Sequence, residues 1–173
     1  VEKDFSSIGK GNYQHFMLKE INEQPEVLSY ATASFINHKS SKVEMLEDLY
    51  KIQSMDRLIL IACGTAYYAC AVAKYWFEKY AKIQVEIDVA SEFRYRDSVL
   101  GENDCAIFVS QSGETADTLA ALRKAKGKVS SLISVINVTE SSIARESDFV
   151  LPIKAGHEIG VASTKAFTSQ PAL

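Results

Sequence analysis

The sequence predicts an α/β fold: a three-layer αβα sandwich built on a five-stranded parallel sheet in the flavodoxin-like order 2-1-3-4-5. Three observations carry this. Short apolar runs bounded by polar residues recur through residues 57–153, helical stretches separate them, and several of the junctions are rich in Gly, Ser and Thr. Apolar runs of that length suit strands buried on both faces, and alternation with helices implies parallel pairing through right-handed crossovers.

Taken in order, Asn12 to Ile36 reads as helical, with Phe16, Ile21, Val27, Leu28, Ala31 and Phe35 near helical spacing. Pro25 interrupts the pattern. A proline suits a first turn better than an interior, so two helices are expected, the second starting near Pro25. A third helix is expected from about Ser41 to Gln53, carrying Val43, Leu46, Leu49 and Ile52. The leading helices are assigned to residues 1–40 and the sheet domain to residues 41–173.

"RLILIA" (Arg57 to Ala62) is the first strand and "TAYYACAVAKYWFEKYA" the helix after it. "QVEIDVA" alternates, which suits a strand with one more polar face. "CAIFVS" is a buried strand, "TADTLAALRKAKG" a helix ending near Gly127, and "SLISVIN" the fourth strand. "SSIARESD" is a short helix or turn. "FVLPI" is the fifth strand, and its Pro152 favours an edge or a strand end. A last helix is expected to begin near Ser163.

The chain has 173 residues, is 47% hydrophobic and 24% charged, and carries a formal net charge of −3 with a pI near 5.7. This suits one domain and gives no electrostatic support for nucleic-acid binding. No apolar run reaches the roughly 18 residues of a membrane span. The opening "VEKDFSSIGKGNYQ" has no apolar core and is not a signal peptide. Val1 points to a piece of a longer protein, truncated again soon after the last helix should start. Cys63, Cys70 and Cys105 match no zinc spacing and read as buried, reduced thiols of a cytoplasmic protein. Nothing in the sequence calls for a metal or a cofactor.

In open parallel sheets ligands bind beyond the carboxyl ends of the strands, where strand order reverses. For the order 2-1-3-4-5 that point lies between the first and third strands. Here these end in "CGTAYY" and "SQSGET", and both lead into helices. A helix N-terminus accepts an anion without any Lys or Arg. Gly64 and Gly113 allow close backbone approach. Thr65, Ser110, Ser112 and Thr115 can donate to phosphate oxygens or sugar hydroxyls, and Gln111 suits a polyol. The same residue types also cap helices with no ligand present. One cap takes one hydroxyl, however, and "SQSGET" carries three, in Ser110, Ser112 and Thr115. The stretch is neither a Walker loop nor a G-x-G-x-x-G fingerprint nor a nucleophile elbow. A third polar-glycine stretch, "AGHEIGVASTKAF", follows the fifth strand as a loop in which His157 and Glu158 have no identifiable partner.

"SQSGETADTL", "CGTAYYA", "ASEFRYRD", "ARESD" and "EIGVASTKAFTSQ" together resemble the first sugar isomerase (SIS) domain of glutamine–fructose-6-phosphate aminotransferases. The opening "KGNYQHFMLKEINEQPEVL" resembles the segment that begins their isomerase part. The resemblance implies a protein with an N-terminal glutaminase and two tandem SIS domains, a homodimer, making glucosamine 6-phosphate from fructose 6-phosphate and ammonia. It implies that Ser110, Gln111, Ser112 and Thr115 form a phosphate-binding loop. It puts Thr65 at a sugar contact, and Val161 and Ser163 at the sugar end. At position 66 many members have Ser where this chain has Ala, so Ala66 would contribute only its backbone N–H. The family's catalytic glutamate, ring-opening histidine and Schiff-base lysine belong to the second SIS domain and tail. The resemblance therefore gives Glu114, His157 and Glu158 no role as the base, and this chain no catalytic residue. Two rivals remain: a sugar-phosphate sensor module without enzymatic activity, and a stand-alone SIS isomerase or deglycase.

Overall fold

The computed structural model describes residues 9–37, 39–40, 42–43 and 55–173. Helix α1 runs unbroken from Phe16 to Ala33, with Pro25 inside it. The two helices expected on either side of Pro25 are therefore one. The physical reason is visible one residue earlier: a proline at position 25 cannot donate to the carbonyl of Ile21, and Gln24 Nε2 donates to that oxygen instead at 3.1 Å. Strands β1 (Ile36–Asn37) and β2 (Lys42–Val43) form an antiparallel pair. Asn37 Oδ1 accepts the N–H groups of Lys39 and Ser40, at 3.0 and 3.1 Å. The helix expected from Ser41 to Gln53 lies outside the described residues, except at Lys42–Val43. There the β-branched Val43 pairs with Ile36 in the ladder rather than starting a helix.

The next elements are β3 (Arg57–Ala62), α2 (Gly64–Trp76), β4 (Gln84–Val89), α3 (Ala90–Phe93), β5 (Cys105–Ser110), α4 (Ala116–Ala125), β6 (Ser131–Ile136), α5 (Ser142–Glu146) and β7 (Phe149–Pro152). The helix expected to continue to Ala81 instead passes into a π-helical turn at Phe77–Ala81, closed by Lys82 at φ 58°. The last helix, α6, spans Lys165–Ser169, two residues later than expected.

The five strands β3 to β7 are all parallel, in the order β4-β3-β5-β6-β7, which is the expected 2-1-3-4-5. The central strands β3, β5 and β6 are buried almost throughout, which is why they read as unbroken apolar runs. Strands β4 and β7 are edges, and β7 ends on Pro152, where a missing N–H costs no ladder bond. Ile59, Ile61, Phe93, Phe108, Leu122, Ile136 and Ile143 form the core of this sheet unit.

The chain divides into two compact units, one of residues 45–152 and the other of residues 1–44 with 153–173. In the first, the amino ends of the strands carry charge. Arg57 bridges Asp104 at 2.5 Å and Glu86 at 2.6 Å, and Gly101 N–H donates to Asp104 at 2.7 Å. In the second, Val27 and Ala31 of α1 are buried, and the residues from Ile153 onward lead into α6.

Candidate functional site

Strands β3 and β5 are neighbours in register, with Ala62 beside Val109, so the turns that follow them leave the sheet at the same level. The first turn enters α2 through Cys63, which makes no side-chain cap, and Gly64 at φ 57°. Thr65 is exposed and Ala66 is buried. The methyl at position 66 thus packs inward, and what that residue offers a ligand is its amide.

The second turn is built from its own hydroxyls. Gly113 N–H donates to Ser110 Oγ at 3.1 Å, and Ser110 Oγ lies 3.0 Å from Thr115 Oγ1. Glu114 N–H donates to Ser112 Oγ at 3.2 Å. Thr115 occupies the N-cap position of α4, yet its hydroxyl makes no cap bond. Sequence alone left these hydroxyls open between caps and ligand donors. The geometry divides them: Ser110 and Ser112 accept turn amides, while the N-cap side chain leaves the first amides of α4 free of it. One O–H is consumed in the Ser110–Thr115 pair. The other O–H of that pair and that of Ser112 remain to donate, beside a ten-residue helix whose N-terminus favours an anion.

Two contacts with the start of α5 hold this turn in shape, and sequence reasoning missed both. Gly113 has φ 65°, and a Cβ there would stand 1.9 Å from Ser141 Oγ and 2.5 Å from Ser141 Cβ. Ser141 Oγ is itself buried with no hydrogen-bond partner among the described residues. Ser142 N–H donates to Glu114 Oε1 at 2.7 Å. That bond, then the Ser142 hydroxyl, hold the Glu114 carboxyl below its usual range against desolvation, with the charge of Arg145 adding to the lowering. Glu114 is thus an ionised acceptor that ties the two turns together. Gln111 is half-buried, and its carbonyl accepts Asn137 N–H at 3.2 Å.

In the other unit, the loop before α6 is tied down, so the expectation that His157 and Glu158 lie on a loop without partners fails for Glu158. Glu158 Oε1 accepts Thr164 N–H at 2.7 Å, Thr164 Oγ1 at 3.2 Å and Ala166 N–H at 3.3 Å, and its Oε2 accepts Ser163 Oγ at 3.0 Å. The carboxylate caps α6, which is where its charge is favoured. Ser163 donates its proton to Glu158, which leaves its oxygen as an acceptor. Val161 is fully exposed and His157 is exposed. Glu20, on the buried face of α1, accepts the N–H groups of Ile159 and Gly160. Its only sequence signal is a carboxylate at helical spacing from Val27 and Ala31.

Of the cysteines, Cys70 and Cys105 are buried, and Cys63 is half-buried at the end of β3 rather than fully enclosed as expected. Among the described residues no helix is long and apolar enough to cross a membrane, and no group of three His, Cys, Asp or Glu side chains is placed to hold a metal ion.

Comparison with known proteins gives a consistent picture. The family model described as the SIS domain matches residues 51–173. Glutamine–fructose-6-phosphate aminotransferases (isomerizing) of Brucella abortus and Bradyrhizobium diazoefficiens are 56% and 55% identical over 94% and 95% of the chain. The chain spans 27% of the length of each. The C-terminal domain of the glucosamine-fructose-6-phosphate aminotransferase of Francisella tularensis superposes with a TM-score of 0.88 at 45% identity, over 94% of this chain and 46% of that one. The tagatose-6-phosphate ketose/aldose isomerase of Escherichia coli shares the fold, with a TM-score of 0.76 at 18% identity over 91% of this chain and 45% of that one.

Proposed function

The chain belongs to the SIS domain family, and from that premise we propose that it is the first SIS domain of a glutamine–fructose-6-phosphate aminotransferase, binding fructose 6-phosphate or glucosamine 6-phosphate. The observation that carries the proposal is the turn at Ser110–Thr115. It offers two unconsumed O–H donors and the uncapped start of α4 at the carboxyl end of a central strand. A phosphate dianion takes such donors well, because hydrogen bonds to a charged acceptor are about twice as strong as neutral ones.

In this reading Ser110, Gln111, Ser112 and Thr115 hold the phosphate. Thr65 and the Ala66 amide approach the sugar, and Val161 and Ser163 serve its far end. The last assignment rests on the resemblance of "EIGVASTKAF". The Ser163 oxygen, with its proton given to Glu158, would accept a hydrogen bond from a sugar hydroxyl.

The reaction condenses ammonia with the C2 ketone of the open-chain ketose, releasing water to leave a C2 imine. It then moves a proton from C1 to C2, which leaves the amine on C2 and an aldehyde at C1. Such a step needs a general base close to the carbon-bound proton. Glu114 and Glu158 are both committed as acceptors of backbone N–H groups. The chain's contribution is therefore binding and orientation, which can contribute several kcal/mol to a barrier. The base is expected from a second SIS domain, and the ammonia from a glutaminase domain, of a homodimeric protein in the cytoplasm.

Calorimetry with fructose 6-phosphate and with fructose tests the reading. Binding of the phosphate ester alone is expected, and equal affinity for the two sugars would refute it. With free ammonia and fructose 6-phosphate, the chain alone is expected to form no glucosamine 6-phosphate. Turnover abolished by His157→Ala or Glu158→Gln would favour a stand-alone isomerase.

A further inference from the structure

We infer that Glu20 is a positioning residue: its buried carboxylate sets the backbone of the Glu158–Thr164 loop and, through it, the sugar end of the ligand. The inference rests on the sugar-phosphate reading above, which places Val161 and Ser163 at that end.

Glu20 is 2% exposed on α1. Its Oε1 accepts Ile159 N–H at 2.6 Å and Gly160 N–H at 3.0 Å, and its Oε2 accepts Gly160 N–H at 3.1 Å. A buried carboxylate costs stability unless it is hydrogen-bonded or paired. Here the partners are two consecutive amides of a loop 139 residues away in sequence, not a neighbouring cation.

One helical turn further on, Glu23 takes Lys165 Nζ at 2.8 Å, with the lysine side chain 2% exposed. Residues three apart lie on the same helix face. Helix α1 therefore grips the chain at two points, 159–160 and 165, and Val161 and Ser163 lie between them. Within that interval Glu158 closes the segment on itself through Ser163 and Thr164.

Gly160 completes the grip. A Cβ there would stand 2.4 Å from Glu20 Oε2 and 3.1 Å from Met17 Cε. Its backbone is outside the left-handed region, so what demands glycine is the approach of the carboxylate. An apolar anchor at position 20 could hold the loop near α1. Only an acceptor fixes the direction of two amides, and hence of the side chains that follow. A segment ordered before the ligand arrives binds without the entropy of ordering it.

The experiment compares the whole chain with its Glu20→Gln and Gly160→Ala variants. Glu20→Gln keeps the size but turns an NH2 toward Gly160. Gly160→Ala keeps every charge and displaces the carboxylate from the other side. Three readouts are taken: calorimetric affinity for fructose 6-phosphate, affinity for inorganic phosphate, and hydrogen exchange of peptides covering 157–162 and 108–118. Each variant is expected to weaken fructose 6-phosphate about tenfold, the size of one lost charge-assisted hydrogen bond. Inorganic phosphate affinity and exchange at 108–118 should not change, and exchange at 157–162 should speed up.

Unchanged fructose 6-phosphate affinity in a folded variant overturns the inference alone. So does equal weakening of both ligands, which would mean that Glu20 serves the fold as a whole. A wild-type chain that binds fructose as well as its phosphate overturns the sugar-phosphate reading, and this inference with it. If Glu20→Gln fails to fold, Gly160→Ala distinguishes the same outcomes.

Discussion

Ser110 Oγ and Thr115 Oγ1 stand 3.0 Å apart across the turn that joins β5 to α4, so of their two protons one lies between them and one is left over. The same Ser110 oxygen also receives Gly113 N–H. The turn therefore needs the Ser110 oxygen for its own shape and can offer the remaining proton to a ligand.

Ser112 is the cleaner probe of ligand binding, because its oxygen holds only the exposed Glu114 amide. Ser112→Ala is expected to weaken fructose 6-phosphate by about 1–3 kcal/mol, the loss of a hydrogen bond to a charged group. A calorimetric change below about 0.3 kcal/mol with the fold intact would make Ser112 a turn residue only.

Gly113→Ala meets two obstacles: φ of 65° and Ser141 Oγ at 1.9 Å from the new Cβ. The backbone strain costs about 1 kcal/mol and the overpacking about 1–3 kcal/mol. Ser141→Gly removes the second obstacle and leaves the first. Urea unfolding should show the double variant regaining most of the lost stability. A double variant no better than Gly113→Ala would show that the contact with Ser141 is not what excludes a side chain.

Asp104 gives a pH dependence with a definite sign. Burial alone would raise its pKa. The hydrogen bond from Arg57, the N–H of Gly101 and the charge of Arg57 outweigh burial and hold it below 3.8. A lowered pKa contributes stability that is complete above the unfolded value and is lost as pH falls through the folded one. Asp104→Asn should therefore destabilise the chain by about 1–3 kcal/mol at pH 7, the loss of charge-assisted hydrogen bonds, while Arg57 keeps Glu86 at 2.6 Å. The gap to wild type should narrow below pH 3.8. A gap of the same size at about pH 7 and about pH 2.5 would show that the Asp104 charge contributes nothing.

The three thiols should separate by reactivity. Burial pushes Cys70 up to about 12, and burial with the nearby Asp148 charge pushes Cys105 up to about 12. Both are therefore protonated at about pH 8 as well as enclosed. Cys63 is half-buried. Alkylation followed by peptide mass mapping should modify Cys63 in the native chain and the other two only on unfolding. Modification of Cys70 at the rate of Cys63 would contradict the packing of α2.

The sheet was legible because a strand buried on both faces has little choice of residue: "RLILIA" and "CAIFVS" are β3 and β5 residue for residue. Alternation with helices gave the parallel pairing, the order is the common one for such sheets, and the two Gly/Ser/Thr turns fall at the switch point of that order. Pro25 misled because its effect depends on a side chain, Gln24, whose reach to Ile21 no pattern encodes. Likewise, the partners of Glu20, Gly113 and Glu158 are set by how loops fold back onto other segments. Periodicity describes one segment at a time, so such partners stay hidden until the chain is folded.

The unit that contains α1 is assembled from two separate stretches, residues 1–44 and 153–173, whereas residues 45–152 form the other without interruption. This arrangement fixes an order of events on the ribosome. Helix α1 is synthesised first of the two, and the amides that satisfy Glu20 follow 139 residues later. At a synthesis rate of about 5–20 residues per second, that is a wait on the order of ten seconds. Throughout it, Glu20 lacks the amides that satisfy it, while the parallel sheet can already be complete. The docking of α1 onto the 159–165 segment thus comes after every strand of the sheet has been synthesised.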